Sequence, residues 1–211
     1  MLDIARYTAW EVAWMLPEQP HPLDTRLPAA ELANLSLNPD IAMRRAVAAH
    51  PNTSPYILGT LAVDFPAEVL GNPALPLLRL AQPGLLLRWP VPALLALLRL
   101  RDAPPWLLRL VERHPGIEVQ VALASHPRLG LDAVEAMSRH PAWLIRARIA
   151  ARPEVPRHVL NRLAGDPDDS VRLAVACRAD LNASERAALR HDPSRYVQRT
   201  LRQVTVTTVD T

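Results

Sequence analysis

Proline returns in this chain at a fixed interval. Pro115, Pro141, Pro167 and Pro193 are 26 residues apart, and Pro127, Pro153 and Ala179 keep the same step. Proline has no N–H to donate and its ring clashes with the carbonyl four residues back, so it limits how far any helix can run. A period between about 20 and 50 residues marks a repeat array, in which each unit buries its apolar face against its neighbours.

Aligned on the prolines, one half-repeat occurs five times: Pro39 to His50, Pro115 to His126, Pro141 to Arg152, Pro167 to Arg178 and, more weakly, Pro193 to Val204. Each copy carries an apolar pair four residues apart: Met43/Val47, Val119/Leu123, Ile145/Ile149, Val171/Val175 and Val197/Leu201. That spacing puts both on one helical face. Proline suits a first helical turn, where its missing N–H has no partner anyway. The pattern predicts helices of about two to three turns, each opening on its proline. The other half-repeat is a leucine-rich amphipathic stretch, as in Pro105–Val111, Leu131–Met137 and Pro156–Ala164. These are second helices, and helices below about 12 residues are marginal alone, so stacking supplies their stability.

The units at 50–64, 126–152 and 151–178 resemble the leucine-rich repeat variant (LRV) family, which implies an all-α fold: a right-handed α-solenoid, or superhelix, built from α and 3₁₀ helices. They are also similar to HEAT repeats, whose ladder sets an Asp six residues before an Arg. Asp166 and Arg172 match that spacing, whereas Asn38/Arg44, His114/Gln120, His140/Arg146 and Asp192/Gln198 depart from it. The expected structural ladder is therefore the row Arg44, Gln120, Arg146, Arg172 and Gln198, with Asp166 as the partner of Arg172. Some LRV proteins carry an iron–sulfur cluster on an N-terminal cysteine set. This chain has one cysteine, Cys177, so no cofactor is expected.

The resemblance covers roughly 28–202. Within it, 65–105 breaks the period: prolines crowd together, and short segments at 66–73 and 83–90 leave room for little more than one turn. A 3₁₀ turn or extended link is expected there. Residues 1–27 read as an N-terminal capping helix with a Pro-rich link, and 203–211 as a flexible tail with strand propensity and no visible partner strand. The leucine-dense stretch from Leu75 to Leu100 is apolar on more than one face, which suggests self-association there.

All 24 basic residues are arginine, as in proteins of GC-rich genomes, and the net charge is +3. The charge is unevenly spread: residues 139–202 hold 13 arginines against 7 acids, and residues 1–138 hold 11 against 13. A single cysteine, an N-terminus unlike a secretory signal and no apolar run of the roughly 20 residues that a span requires together predict a cytoplasmic protein with no membrane partner.

Histidines invite a metal hypothesis, but His50, His114, His126 and His140 each precede a proline where Arg152, Arg178, Asp166 and Asp192 stand in sister copies. Interchange with Arg and Asp fits a helix-end slot that bonds terminal carbonyls, and no metal site is expected. Cys177 stands where other repeats have Ala49, Ser125 and Ala151, so it reads as a small packed side chain. Asp166, Asp168 and Asp169 suit a helix N-terminus. Trp89, Trp106 and Trp143 are expected to fill inter-repeat gaps. No HExxH, CxxC, phosphate loop or GxSxG occurs, so no catalytic residue is assigned. HEAT-like DNA glycosylases exist, but none of their catalytic residues can be placed on this chain.

The expected function is a non-enzymatic scaffold presenting an elongated surface to a protein partner. The alternative is nucleic-acid binding through Arg162, Arg186, Arg190, Arg195, Arg199 and Arg202. Arg195, Arg199 and Arg202 fall at i, i+4, i+7 and Arg186 and Arg190 at i, i+4, so each set lines one helix face. Such stripes contact phosphates unless Asp180, Glu185 and Asp192 tie them down.

Overall fold

The computed structural model describes residues 23–207, with side chains through Val204. Among these residues all regular structure is helical, an all-α repeat fold. Of the N-terminal cap expected over 1–27, only the last five residues fall within the described part. The chain forms two compact units, Met1–Ala93 and Leu94–Thr211. The first holds α1 (Ala29–Leu35), α2 (Ile41–Ala49), α3 (Pro55–Leu61), α4 (Pro66–Leu70), α5 (Leu75–Ala81) and a 3₁₀ turn at Leu86–Arg88. Helix α6 (Val91–Leu98) spans the boundary. The second unit continues with α7 (Pro105–Val111), α8 (Ile117–Ser125), α9 (Leu131–Met137), α10 (Trp143–Ala150), α11 (Arg157–Ala164), α12 (Asp169–Ala176), α13 (Ala183–Arg190) and α14 (Arg195–Thr207). Helix α14 runs five residues into the segment expected to be a loose tail, and 208–211 lie outside the described residues.

In the second unit the periodic pattern becomes two layers. Helices α8, α10, α12 and α14 carry the apolar pairs and pack on one another in sequence, while α7, α9, α11 and α13 each pack on the helix that follows. The pairs are the core: Val119, Leu123, Ile145, Ile149, Val171, Val175 and Val197 are fully buried and Leu201 is nearly so. Burying one such side chain stabilises the fold by roughly 1.5–3 kcal/mol. In the first unit Val47 is buried and Met43 only half so.

The first proline series does not open the helices. Asp40, Gly116, Ala142 and Asp168 are the N-caps of α2, α8, α10 and α12, so Pro39, Pro115, Pro141 and Pro167 lie one residue further out. The reason lies in the residue before each proline. Its side chain accepts the N–H two residues on: Asp40 N–H to Asn38 Oδ1 (2.8 Å), Gly116 N–H to His114 Nδ1 (3.0 Å), Ala142 N–H to His140 Nδ1 (3.0 Å), Asp168 N–H to Asp166 Oδ1 (3.0 Å) and Ser194 N–H to Asp192 Oδ1 (2.8 Å). The intervening proline has no N–H to compete and biases the residue before it toward extended backbone, as at His50 (φ −78°, ψ 133°). Asn, Asp and His are the side chains that accept at this short reach.

The second series does more. The side chain before its proline, or before Ala179, reaches back one repeat to the end of the preceding helix. His126 Nδ1 accepts the Arg128 N–H (3.2 Å), which puts the ring proton on Nε2, and Nε2 donates to the Leu100 carbonyl (3.0 Å). Arg152 Nη1 donates to the carbonyls of Ala124 (2.8 Å) and His126 (2.7 Å), and Arg178 Nη1 repeats this on Ala150 (2.8 Å) and Arg152. In the first unit His50 Nε2 donates to the Asp24 carbonyl (2.9 Å), and Asn72 Nδ2 to those of Ala48 (2.8 Å) and His50 (2.9 Å). All five side chains are buried. Within each unit they satisfy backbone carbonyls that packing has removed from water, at helix ends in every case but Asp24, which lies in the turn ahead of α1.

Between the regular parts the chain is shorter-paced. The segment 66–73 holds α4, five residues long, and 83–90 holds the 3₁₀ turn. Of the leucines expected to drive self-association, Leu75, Leu86, Leu94, Leu97 and Leu98 are buried by the chain itself, whereas Leu77 and Leu80 are exposed. Trp89 is buried against α3, where only a glycine fits: a Cβ on Gly59 would lie 2.8 Å from Trp89 Cδ1. Gly59→Ala must displace the indole, and overpacking of this kind costs about 1–3 kcal/mol. Thermal unfolding is expected to show a lowered Tm for Gly59→Ala and partial recovery in Gly59→Ala with Trp89→Leu; an unchanged Tm in the single variant contradicts the packing.

Candidate binding surface

The five ladder residues share one contact and differ in a second. Each donates to the backbone carbonyl six residues earlier: Arg44 Nη1 to Asn38 (2.8 Å), Gln120 Nε2 to His114 (2.9 Å), Arg146 Nη1 to His140 (2.8 Å), Arg172 Nη1 to Asp166 (2.7 Å) and Gln198 Nε2 to Asp192 (2.8 Å). Arginine has donors to spare after that bond, and they point forward. Arg146 binds Asp166 two-pronged (Nε to Oδ2 2.7 Å, Nη2 to Oδ1 2.8 Å), and Arg172 binds Asp192 likewise (2.6 and 3.0 Å). The pairing of Arg172 with the Asp166 carboxylate expected from HEAT repeats is therefore corrected: the carboxylate partner lies 20 residues ahead, in the next repeat. Asp166 is held there by the Asp168 N–H, which leaves its outer lone pairs facing the preceding helix.

This use of side chains for stacking leaves the outer face of the α8, α10 and α12 layer with small and apolar residues. Val121, Ala122, Leu144, Ala147, Leu173 and Ala174 are half-buried, and Ile117 and Trp143, the first residues of α8 and α10, are 44% and 45% exposed. Trp143 thus lies on the surface and not in an inter-repeat gap, because it stands two residues before the inward-facing Ile145, on the opposite side of the helix. Trp89 is buried and Trp106 half-buried. Cys177 is exposed, not packed, as are Ala49, Ser125 and Ala151 at the same register. Two repeat-equivalent clefts open beside this face. One, of about 400 Å³, is lined by Ser125, Pro127, Arg148, Ala151, Arg152, Pro153 and Glu154. The next, of about 430 Å³, is lined by Ala151, Arg152, Pro153, Ala174, Cys177, Arg178, Ala179 and Asp180.

The six arginines offered for polyanion binding separate into two groups. Arg162 is engaged by Glu135 (3.3 Å) and the Ser138 hydroxyl, and Arg186 by the carbonyls of Leu181 (3.0 Å) and Ala179 (3.2 Å). Arg190, Arg195, Arg199 and Arg202 are exposed, with no hydrogen bond or ion pair to a described residue. At 100° per residue the α14 trio falls within about 60° of arc, its midpoint about 150° round the helix from that of Val197 and Leu201. The acids that were expected to neutralise this end are already taken: Asp180 by Arg178 and Arg157, Glu185 by Arg157, and Asp192 by Arg172.

Among the described residues no group of three or more His, Cys, Asp or Glu is placed to hold a metal ion, and no helix is long and apolar enough to cross a membrane. His50, His114, His126 and His140 bond backbone, and His158 pairs with Glu135 (2.7 Å). Comparison with family models, with curated proteins and with solved structures finds no match.

Burial alone would push the Asp166 and Asp192 carboxyls up, but the bonds from Arg146 and Arg172, with a backbone N–H on each, hold both below the usual carboxylate range. A depressed folded pKa means the stabilisation is complete above the ordinary value of about 3.9 and is lost as pH falls through the folded value. Tm is therefore expected to fall as pH drops from about 5 toward 2, and Asp192→Asn is expected to flatten that slope. Arg172→Met at neutral pH removes both the carbonyl bond and the ion pair, at a cost on the order of 1–3 kcal/mol. A slope identical to that of the parent chain in Asp192→Asn, measured by circular dichroism, excludes these pairs as its source.

Proposed function

We propose that this chain is a non-enzymatic, LRV- and HEAT-like repeat scaffold whose α8–α10–α12 face binds a protein partner. The observation that carries this reading is the exposed apolar row at repeat-equivalent positions, Ile117 and Trp143, beside the half-buried Leu144, Val121 and Leu173. Aromatic side chains at the centre of an apolar patch with a charged rim are the usual anchors of protein interfaces, and Arg148 and Glu118 supply the rim. A surface made of short stacked helices presents such anchors at regular spacing without any of them serving the core. A cytoplasmic setting suits it.

A second reading is nucleic-acid binding at α14, and it rests on the four exposed arginines without acidic partners. The two separate experimentally. Peptides selected from a random library against the whole chain are expected to broaden backbone amide signals in α8, α10 and α12. Trp143→Ala is expected to weaken them at least tenfold with little change in Tm. Selected peptides indifferent to Trp143→Ala would refute the face. Fluorescence anisotropy with a labelled duplex between about 50 and 200 mM salt tests the alternative: a log–log slope of about −0.9 per phosphate neutralised, lost in Arg195→Ala with Arg199→Ala, would move the function to α14.

A further inference from the structure

Arg152 and Arg178 hold the same register one repeat apart, and their clefts correspond residue for residue: Ser125 to Ala151, Pro127 to Pro153, Arg148 to Ala174, Ala151 to Cys177, Pro153 to Ala179 and Glu154 to Asp180. Both guanidiniums spend Nη1 on two carbonyls of the preceding helix end. They differ at the opposite edge. Arg178 presents Nε and Nη2 to Asp180, at 2.8 and 2.9 Å, in the parallel fork that guanidinium and carboxylate favour. Arg152, only 9% exposed, has no acceptor on Nε and a single long bond from Nη2 to the Pro127 carbonyl (3.4 Å). Glu154, which stands where Asp180 does, makes no ion pair with it; its carboxylate sits on a stem one methylene longer and is exposed.

An unpaired buried charge is costly, and burial accordingly lowers the pKa of Arg152, with Glu154 opposing the shift only through space. The cleft also holds a second arginine where the sister has alanine: Arg148 is exposed and makes no ion pair with a described residue. From this internal comparison we infer that the cleft between the ends of α8 and α10 is a carboxylate-binding site: Nε of Arg152 is closed to solvent, and an Asp or Glu side chain of a partner protein forks onto Nε and Nη2 as the exposed Glu154 side chain gives way, while Arg148 draws it in. The Arg178–Asp180 pair shows the occupied geometry within the same molecule. This inference rests on the scaffold reading for its partner and deepens it, since the cleft adjoins the Trp143 helix.

The test uses the full chain, labelled with ¹⁵N, and two probes: the peptide acetyl-Gly-Asp-Gly-amide and its Asn counterpart. The reporters are the Arg152 Nε–H and Ala151 backbone N–H resonances. The Asp peptide is expected to shift both, the Asn peptide to need at least tenfold higher concentration, and the Arg178 Nε–H to stay still. Glu154→Asp is expected to bring Arg152 Nε–H to the position of Arg178 Nε–H and to weaken the Asp peptide at least tenfold; it adds a charge pair without removing any contact, so it keeps the test open should Arg152→Gln fail to fold. Arg148→Ala is expected to weaken the peptide severalfold. The inference is overturned if the Asp peptide leaves Arg152 unmoved, if the Asn peptide acts equally, or if inorganic phosphate acts at tenfold lower concentration, which assigns the cleft to phosphate. Failure here with Trp143-dependent peptide binding intact removes the carboxylate site alone. Loss of Trp143 dependence with this titration intact removes only the apolar face.

Discussion

A short helix buried at its C-terminal end leaves carbonyls that neither water nor its own next turn can reach, and this structure answers that constraint once per repeat. Each unsatisfied carbonyl costs about 1–3 kcal/mol, comparable to what one well-buried leucine returns, so a stack of eight-residue helices stands or falls on the donor it finds. The donor is a long side chain fixed just ahead of a proline, or of Ala179 in one copy. His126, Arg152 and Arg178 serve the second unit and His50 and Asn72 the first. Histidine, asparagine and arginine are interchangeable there because the requirement is a buried N–H at the right reach, not a charge.

A division of labour between the two helix layers follows. The layer of α8, α10 and α12 is joined through backbone carbonyls and the Arg146–Asp166 and Arg172–Asp192 forks, all placed near the helix starts and ends. Its midsections need only small residues to lie close, and that frees the outer face from structural duty. The layer of α9, α11 and α13 is joined by side chains: Glu135 to His158 and Arg162 at the surface, and the half-exposed Arg157 to the buried Glu185. Glu135, shared by His158, Arg162 and Arg139, has little left for a ligand, which is why the proposed binding role is assigned to the first layer.

The i, i+4 pairs gave the core because their period is a backbone property, but the pre-proline slot proved to be two: His50 and His126, with Arg152 and Arg178, bond carbonyls of the preceding repeat, whereas His114 and His140, with Asp166 and Asp192, accept an N–H at the start of the next helix. The partner of Arg172 was misread because an Asp at −6 and an Asp at +20 are equally available in a periodic chain, and only the packing of neighbours selects one. Spacing alone also misleads: Asp64 lies 20 beyond Arg44, yet Arg44 sits over the Phe65 ring at 5.9 Å and Asp64 is exposed. The exposure of Trp143 and Cys177 was missed because residue type was allowed to outweigh register. Angular position relative to Ile145 and Val175 places both outside. The unpaired Nε of Arg152 has no sequence signature beyond a Glu where its sister has an Asp.

These polar contacts also have a direction. In both units every such donor comes from later in the chain and serves the stretch before it, across 22 to 28 residues. During synthesis, therefore, each repeat emerges with its helix-end carbonyls unmet and waits for the following unit, a delay of roughly 1 to 5 s at ribosomal speeds. Assembly is thereby ordered from the N-terminal side, and the growing end is always the least finished part of the molecule.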